Sequence, residues 1–184
     1  MAEFLVIVHG DDSSKKIIIT SETIVLMEKD TEIQKFRYQY DANDYHIKKC
    51  ETENIVDFSY INSTLDPQFK FNMHNNKFYT IIMIDPDAPS CTNPTNKYWL
   101  HWLVTNITKD NMKGTSIVDY NRPNPSVGSG AHRYYFVLFE HNNILNINKK
   151  LNIRSKFNLK DFLLQTGATS LNLVTYVRFL TERK

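Results

Sequence analysis

Tyr79-Thr80-Ile81-Ile82-Met83-Ile84-Asp85-Pro86-Asp87-Ala88-Pro89-Ser90 begins as a nearly continuous apolar run and ends in a proline turn bearing two carboxylates. An apolar run without alternation, here residues 78–84, predicts a strand buried on both faces. Pro86, Pro89 and Pro94 then exclude a regular element from residues 85–96. A second stretch reverses this order. Gly128-Ser129-Gly130-Ala131-His132-Arg133-Tyr134-Tyr135-Phe136-Val137-Leu138-Phe139 is a glycine turn that delivers a His, an Arg and a Tyr into a strand over residues 133–140. Between the two lies Tyr98-Trp99-Leu100-His101-Trp102-Leu103-Val104, part of a predicted strand over residues 98–106. These three segments are expected to meet and line one small polar pocket.

Outside them, residues 4–8, 16–20, 23–27 and 33–40 are short β-branched and aromatic runs separated by polar breakers, and read as strands. Residues 55–61 and 171–180 add two more. Residues 62–76 and 109–130 are rich in turn residues and read as loops. The second is long, and its position before the His-Arg strand marks it as functional. Residues 157–165 form the best helix candidate, with Asn158 to cap it and Gly167 to end it. About nine strands and one helix, without regular alternation, argue for a mainly β fold. The expectation is an antiparallel two-sheet β-sandwich with one or two short helices. Residues 1–184 read as a single domain.

Composition narrows the function. A formal net charge of +2, with no clustered basic stripe, gives no reason to expect a nucleic-acid partner. No apolar run approaches the ~20 residues needed to span a bilayer. The two cysteines, Cys50 and Cys91, make neither a disulfide framework nor a metal knuckle, and are read as unpaired thiols of a reducing compartment. The glycosylation-type triplets at Asn62 and Asn106 matter only in a secreted chain, and no secretion signal is evident. The expected location is cytoplasmic.

Asp85 and Asp87 lie two apart, but the prolines should make them diverge. By strict alternation Trp99 and His101 share one face, and Leu100 and Trp102 the other. His132 and Tyr134 should point to one side and Arg133 to the opposite one. An inward Arg133 needs a carboxylate partner, for which Asp87 is the candidate. Glycines 128 and 130 permit close backbone approach and would leave N–H groups to cradle an anion. Two imidazoles, a carboxylate, a phenol and N–H donors suit a phosphate ester or a zwitterion. Imidazolium would then favour anion binding at mildly acidic pH.

At these residues the chain resembles the phosphatidylethanolamine-binding protein family, which includes Raf kinase inhibitor proteins and plant flowering regulators. The resemblance rests on Tyr79-Thr80, the Asp85-to-Ser90 turn, the run from Trp99 to Ile107, Gly114-Thr115, Tyr120, Pro123, Pro125, the Gly128-Ser129-Gly130 turn and His132-Arg133-Tyr134. It implies a two-sheet sandwich with a small anion pocket at one end. The pocket would be lined by Asp85, Pro89, Trp99, His101, Pro125, His132 and Tyr134, with Gly128 at its glycine turn. It further implies an Asp87–Arg133 ion pair bracing the two loops and a cis bond at Ala88-Pro89. Three departures stand out. The first 50 residues show little of the family pattern. Gly167-Ala168-Thr169-Ser170 replaces the usual turn before the last strand. The chain also stops soon after that strand, whereas some members continue into a helix covering the pocket.

The expectation is a non-catalytic protein, with no cofactor, that binds phosphatidylethanolamine-like head groups or other phosphorylated ligands and regulates a protein kinase or other signalling protein. The alternative is a metal-dependent hydrolase using His101, His132 and Asp85 as ligands. A third reading is a protein-interaction module with a vestigial pocket.

Overall fold

A computed structural model describes residues 4–10, 14–20, 50, 54–147, 151–166 and 171–184. The strands expected at residues 23–27 and 33–40 lie outside these. Within them the chain runs through β1 (Phe4–His9), β2 (Lys16–Thr20), β3 (Ile55–Val56), a 3-10 turn (Phe58–Tyr60), β4 (Gln68–Phe71), β5 (Phe78–Asp85), β6 (Trp99–Ile107), β7 (Thr115–Val118), β8 (His132–His141), α1 (Leu159–Thr166) and β9 (Asn172–Thr181). The described strands form two sheets, ordered β2-β1-β4 and β3-β9-β8-β5-β6-β7. This is the expected mainly β, two-sheet architecture. One detail differs: β3 pairs with β9 in parallel, so the larger sheet is mixed.

The apolar run of β5 is explained by its two neighbourhoods. Ile81 and Met83 pack with Phe4, Val6 and Phe71 of the small sheet. Ile82 and Ile84 pack on the opposite face with Phe157, Leu159 and Phe162, at and just before α1. Both faces are therefore dry, and no polar alternation is needed. Helix α1 starts where Asn158 Oδ1 accepts from Asp161 N at 3.0 Å, an ordinary N-cap.

Two strands sit in segments read as loops. β4 follows Pro67 and pairs with the edge of β1, and β7 lies in the 109–130 stretch and pairs with β6. Each has only four residues, too few for periodicity to outweigh the surrounding turn residues. Conversely, the strand read over residues 55–61 ends at Val56. There the Asp57 carboxylate accepts from Ser59 N at 2.8 Å and turns the chain into a 3-10 turn.

The thiol reading is corrected. Cys50 and Cys91 form a disulfide between residues 41 apart. The pairing is made by the fold, and nothing in the spacing of two cysteines reveals it.

Candidate functional site

β5 runs antiparallel to both of its neighbours, β6 and β8. Its C-terminal end therefore lies beside the starts of the other two. Asp85 is in register with Trp99 and Ile84 with Tyr135. Three segments distant in sequence are brought to one edge of one sheet by strand direction alone.

A bulge then aims His101. Met83 faces Trp102 while Ile84 faces Leu100, so His101 is an extra residue in β6. Strict alternation fails at this point. Leu100 and Leu103 pack on the α1 side of the sheet and Trp102 and Val104 on the small-sheet side. The expectation that Leu100 and Trp102 share a face is thus corrected. The bulge leaves His101 turned toward the pocket, its ring edge-on to Tyr134 at 5.2 Å.

The pocket has a volume of about 250 Å3 and is lined by Asp85, Ala88, Pro89, Asn96, Trp99, His101, Asn121, Arg122, Asn124, Pro125, Ser126, His132 and Tyr134. Seven of the eight residues named from sequence as ligand contacts line it. Gly128 does not: its N–H donates to Arg183 O at 3.4 Å. The Ser129 N–H is also engaged, on Ser126 O at 3.1 Å. The turn therefore does not offer the row of open donors that its glycines suggested. Gly130, at φ 80°, serves packing instead, since a Cβ there would stand 3.0 Å from Cys91 Sγ. This contact seats the glycine turn against the disulfide that follows the proline turn.

The two carboxylates part as their neighbours on β8 do. Asp85 Oδ2 accepts from His132 Nδ1 at 2.8 Å, and Asp85 Oδ1 from Asp87 N at 2.6 Å. Asp87 takes the next residue. Its Oδ2 accepts from Arg133 N and Nε, each at 2.8 Å, and its Oδ1 from Arg133 Nη2 at 2.6 Å. Alternation along β8 sends His132 to one carboxylate and Arg133 to the other. The peptide bond at Ala88-Pro89 is cis.

His101 is held differently. Its Nδ1–H donates to Asn121 O at 2.7 Å, and Asn121 N–H donates back to His101 O at 2.8 Å. Since a carbonyl can only accept, the hydrogen resides on Nδ1 and Nε2 carries a lone pair. Burial pushes this imidazole below the ordinary histidine value, against the opposing pull of the Asp85 charge. Burial thus disfavours the cationic form of His101, and in the neutral ring Nε2 is the acceptor. Burial, with the nearby Asp85 charge, holds the Tyr134 phenol well above its usual value, so it stays a neutral hydroxyl. Beneath them Arg154 donates from Nη1 to the Leu100 and His101 carbonyls, each at 3.0 Å, and from Nη2 to Asp119 O at 2.8 Å. It anchors the bulge to the strand leading into Asn121.

Sequence reasoning missed Ala88, Asn96, Asn121, Arg122, Asn124 and Ser126 as lining residues, and Arg154 as an anchor. Arg122 carried no usable signal, since a lone cation beside a proline turn is ordinarily a solvated surface residue. The others carried none, because three asparagines and a serine in turns are what turns ordinarily contain.

Among the described residues, no group of three or more His, Cys, Asp or Glu side chains is placed to hold a metal ion. Both Asp85 oxygens are committed to His132 and the Asp87 N–H. The metal-hydrolase alternative finds no ligand set here.

The fold is thus a mainly β, two-sheet architecture with a polar pocket at one edge of its larger sheet. The family model described as phosphatidylethanolamine-binding protein matches residues 46–177, and the chain belongs to this family. It is 31% identical over 144 residues to "Putative odorant-binding protein A5" of Drosophila melanogaster, covering 77% of this chain and 65% of that one. It is 41% identical over 90 residues to Protein TERMINAL FLOWER 1 of Arabidopsis thaliana, covering 48% of this chain and 50% of that one. The chain thus matches less than two thirds of the length of either relative. A solved phosphatidylethanolamine-binding protein from Plasmodium vivax superposes with a TM-score of 0.58 at 25% identity, covering 74% of this chain and 81% of that one.

Two predictions follow from this geometry. Asp87→Ala strands a largely buried guanidinium and should cost on the order of 3 kcal/mol or more in urea unfolding. Asp85→Ala should cost less, because an imidazole can discard its charge and a guanidinium cannot. Equal losses would refute this division. Second, His101 binds its proton more weakly folded than unfolded. Its contribution to stability is complete above about pH 6.5 and is lost as pH falls through its lower folded value. An NMR titration should place the His101 midpoint below the ordinary histidine value, and a midpoint at or above it would contradict the assignment.

Proposed function

We propose that this protein is a non-catalytic binding protein whose pocket takes a small phosphorylated or anionic ligand, such as a phospholipid head group, and that ligand occupancy tunes its association with a signalling protein. The observation carrying this reading is the donor and acceptor set at one sheet edge. His132 is oriented by Asp85, His101 Nε2 is an acceptor, the Tyr134 hydroxyl is neutral, and amides from Asn96, Asn121 and Asn124 surround them. A phosphate bearing a hydroxyl or ammonium group meets both halves of this set, donors for its oxygens and acceptors for its N–H or O–H. The size of the pocket suits a head group, with any attached chain left outside. The name of the family, phosphatidylethanolamine-binding protein, supports the same ligand class.

No candidate nucleophile is needed for this reading. Ser129 Oγ lies 3.1 Å from His132 Nε2, but it also lies 2.6 Å from Ser126 O, to which its hydroxyl donates. The hydroxyl proton is thereby directed away from the imidazole, the opposite of what a general base requires. As for location, among the described residues no helix is long and apolar enough to cross a membrane. The disulfide removes the cysteine argument for a reducing compartment, and the compartment remains a proposal.

The test is an NMR titration of labelled protein with O-phosphoethanolamine. The account expects saturable shifts at His101, His132 and Tyr134 at millimolar ligand or below. Shifts confined to residues remote from the pocket, or none, would contradict it.

A further inference from the structure

Arg183 lies just past the last strand, and the sheet register decides where it falls. β9 pairs antiparallel with β8, with Thr181 opposite His132. It pairs in parallel with β3, with Thr181 opposite Val56. The chain beyond Thr181 therefore leaves at the pocket edge, and it runs alongside the chain that leaves β3 toward Phe58. There the Arg183 guanidinium sits over the Phe58 ring, 5.3 Å from its centroid. A cation on an aromatic face is held by its stem as well as by its charge.

Two hydrogen bonds tie Arg183 to the wall of the pocket. Its main-chain carbonyl accepts from Gly128 N–H at 3.4 Å, and its Nη1 donates to Asn124 Oδ1 at 2.9 Å. Asn124 lines the pocket and Gly128 does not. The main-chain bond therefore steadies the glycine turn, while the side-chain bond reaches a lining residue. That second bond fixes chemistry as well as position. A guanidinium can only donate, so the Asn124 amide must turn its oxygen to Arg183. What the side chain then has to offer a ligand is its NH2 group. The bond to a permanent cation also polarises the amide and strengthens its N–H as a donor.

We propose that Arg183 is a positioning residue: by holding the Asn124 amide oxygen it makes Asn124 Nδ2 a hydrogen-bond donor to the phosphate oxygens of the ligand. This rests on the pocket being the ligand site proposed above, and it says which end of the ligand meets the 121–126 wall. Asn124 serves the anionic end, whereas the acceptor His101 Nε2 serves the ammonium. An unheld amide also samples the flipped orientation, whose oxygen repels a phosphate.

The experiment is calorimetric titration with O-phosphoethanolamine of wild type, Arg183→Met, Asn124→Ala and the double variant. The main-chain bond to Gly128 is available in all four, so only the side-chain link is varied. Arg183→Met should weaken binding roughly threefold to tenfold, the equivalent of about one hydrogen bond. In the Asn124→Ala background the same substitution should change affinity less than about twofold, because the amide it acts through is gone. Unchanged affinity in Arg183→Met, or an equal loss in the Asn124→Ala background, overturns the Arg183 assignment while leaving the pocket as the ligand site. A wild type that binds no O-phosphoethanolamine overturns the pocket reading itself, and this inference with it. Should a variant not unfold as cooperatively as wild type, wild type alone decides. The Asn124 side-chain NH2 resonances should then shift during an NMR titration with O-phosphoethanolamine, in step with those of His132. NH2 resonances that stay in place while His132 shifts overturn the proposal.

Discussion

The structure depends on how two carboxylates at the end of one strand divide two consecutive residues of the next. Asp85 holds His132 and Asp87 holds Arg133. Because β5 is antiparallel to β8, the end of one meets the start of the other, and the side-chain alternation of β8 decides which carboxylate each residue reaches. Arg133 is only 13% exposed and cannot lose its charge, so Asp87 is the group that makes its position tolerable. That pair locks the proline turn to the glycine turn, and Cys91, disulfide-bonded to Cys50, has its Sγ packed against Gly130 of the glycine turn. The Asp85–His132 pair, 3% exposed on both residues, is then free to act in the pocket because the mechanical task belongs to its neighbour.

The opposite wall is built by different means. A bulge in β6 turns His101 out of strict alternation, and the backbone of Asn121 receives its ring. Arg154 ties both carbonyls flanking the bulge to the chain that leads there. The two imidazoles thus differ in role although both carry hydrogen on Nδ1. His132 faces a carboxylate and His101 a carbonyl, and burial lowers the proton affinity of His101. A pocket with one imidazole held by a carboxylate and one held by a carbonyl suits a ligand that has both an anionic end and a donor end.

Much of this was legible in the sequence, for identifiable reasons. The run from Phe78 to Ile84 could be read because a strand buried on both faces needs no polar alternation. The meeting of Asp85, His101 and His132 could be read because Pro and Gly turns marked the strand ends. The split between Asp85 and Asp87 followed from alternation on β8. What stayed hidden is non-local or short. The bulge at His101 is set by register against β5, which no local pattern encodes. The disulfide joins Cys91 to a cysteine 41 residues away. β4 and β7 are four residues each, inside segments dominated by turn formers. Arg122 was hidden because a lone arginine in a turn is ordinarily a solvated surface residue, and only the fold shows what it faces.

The central claim is that this sheet edge is a phosphate site, and a crystal structure of the protein with O-phosphoethanolamine tests it most directly. The account predicts the phosphate beside His132 in the pocket, with the ligand ammonium toward His101 Nε2. A phosphate bound elsewhere on the molecule with this pocket holding only solvent would contradict it.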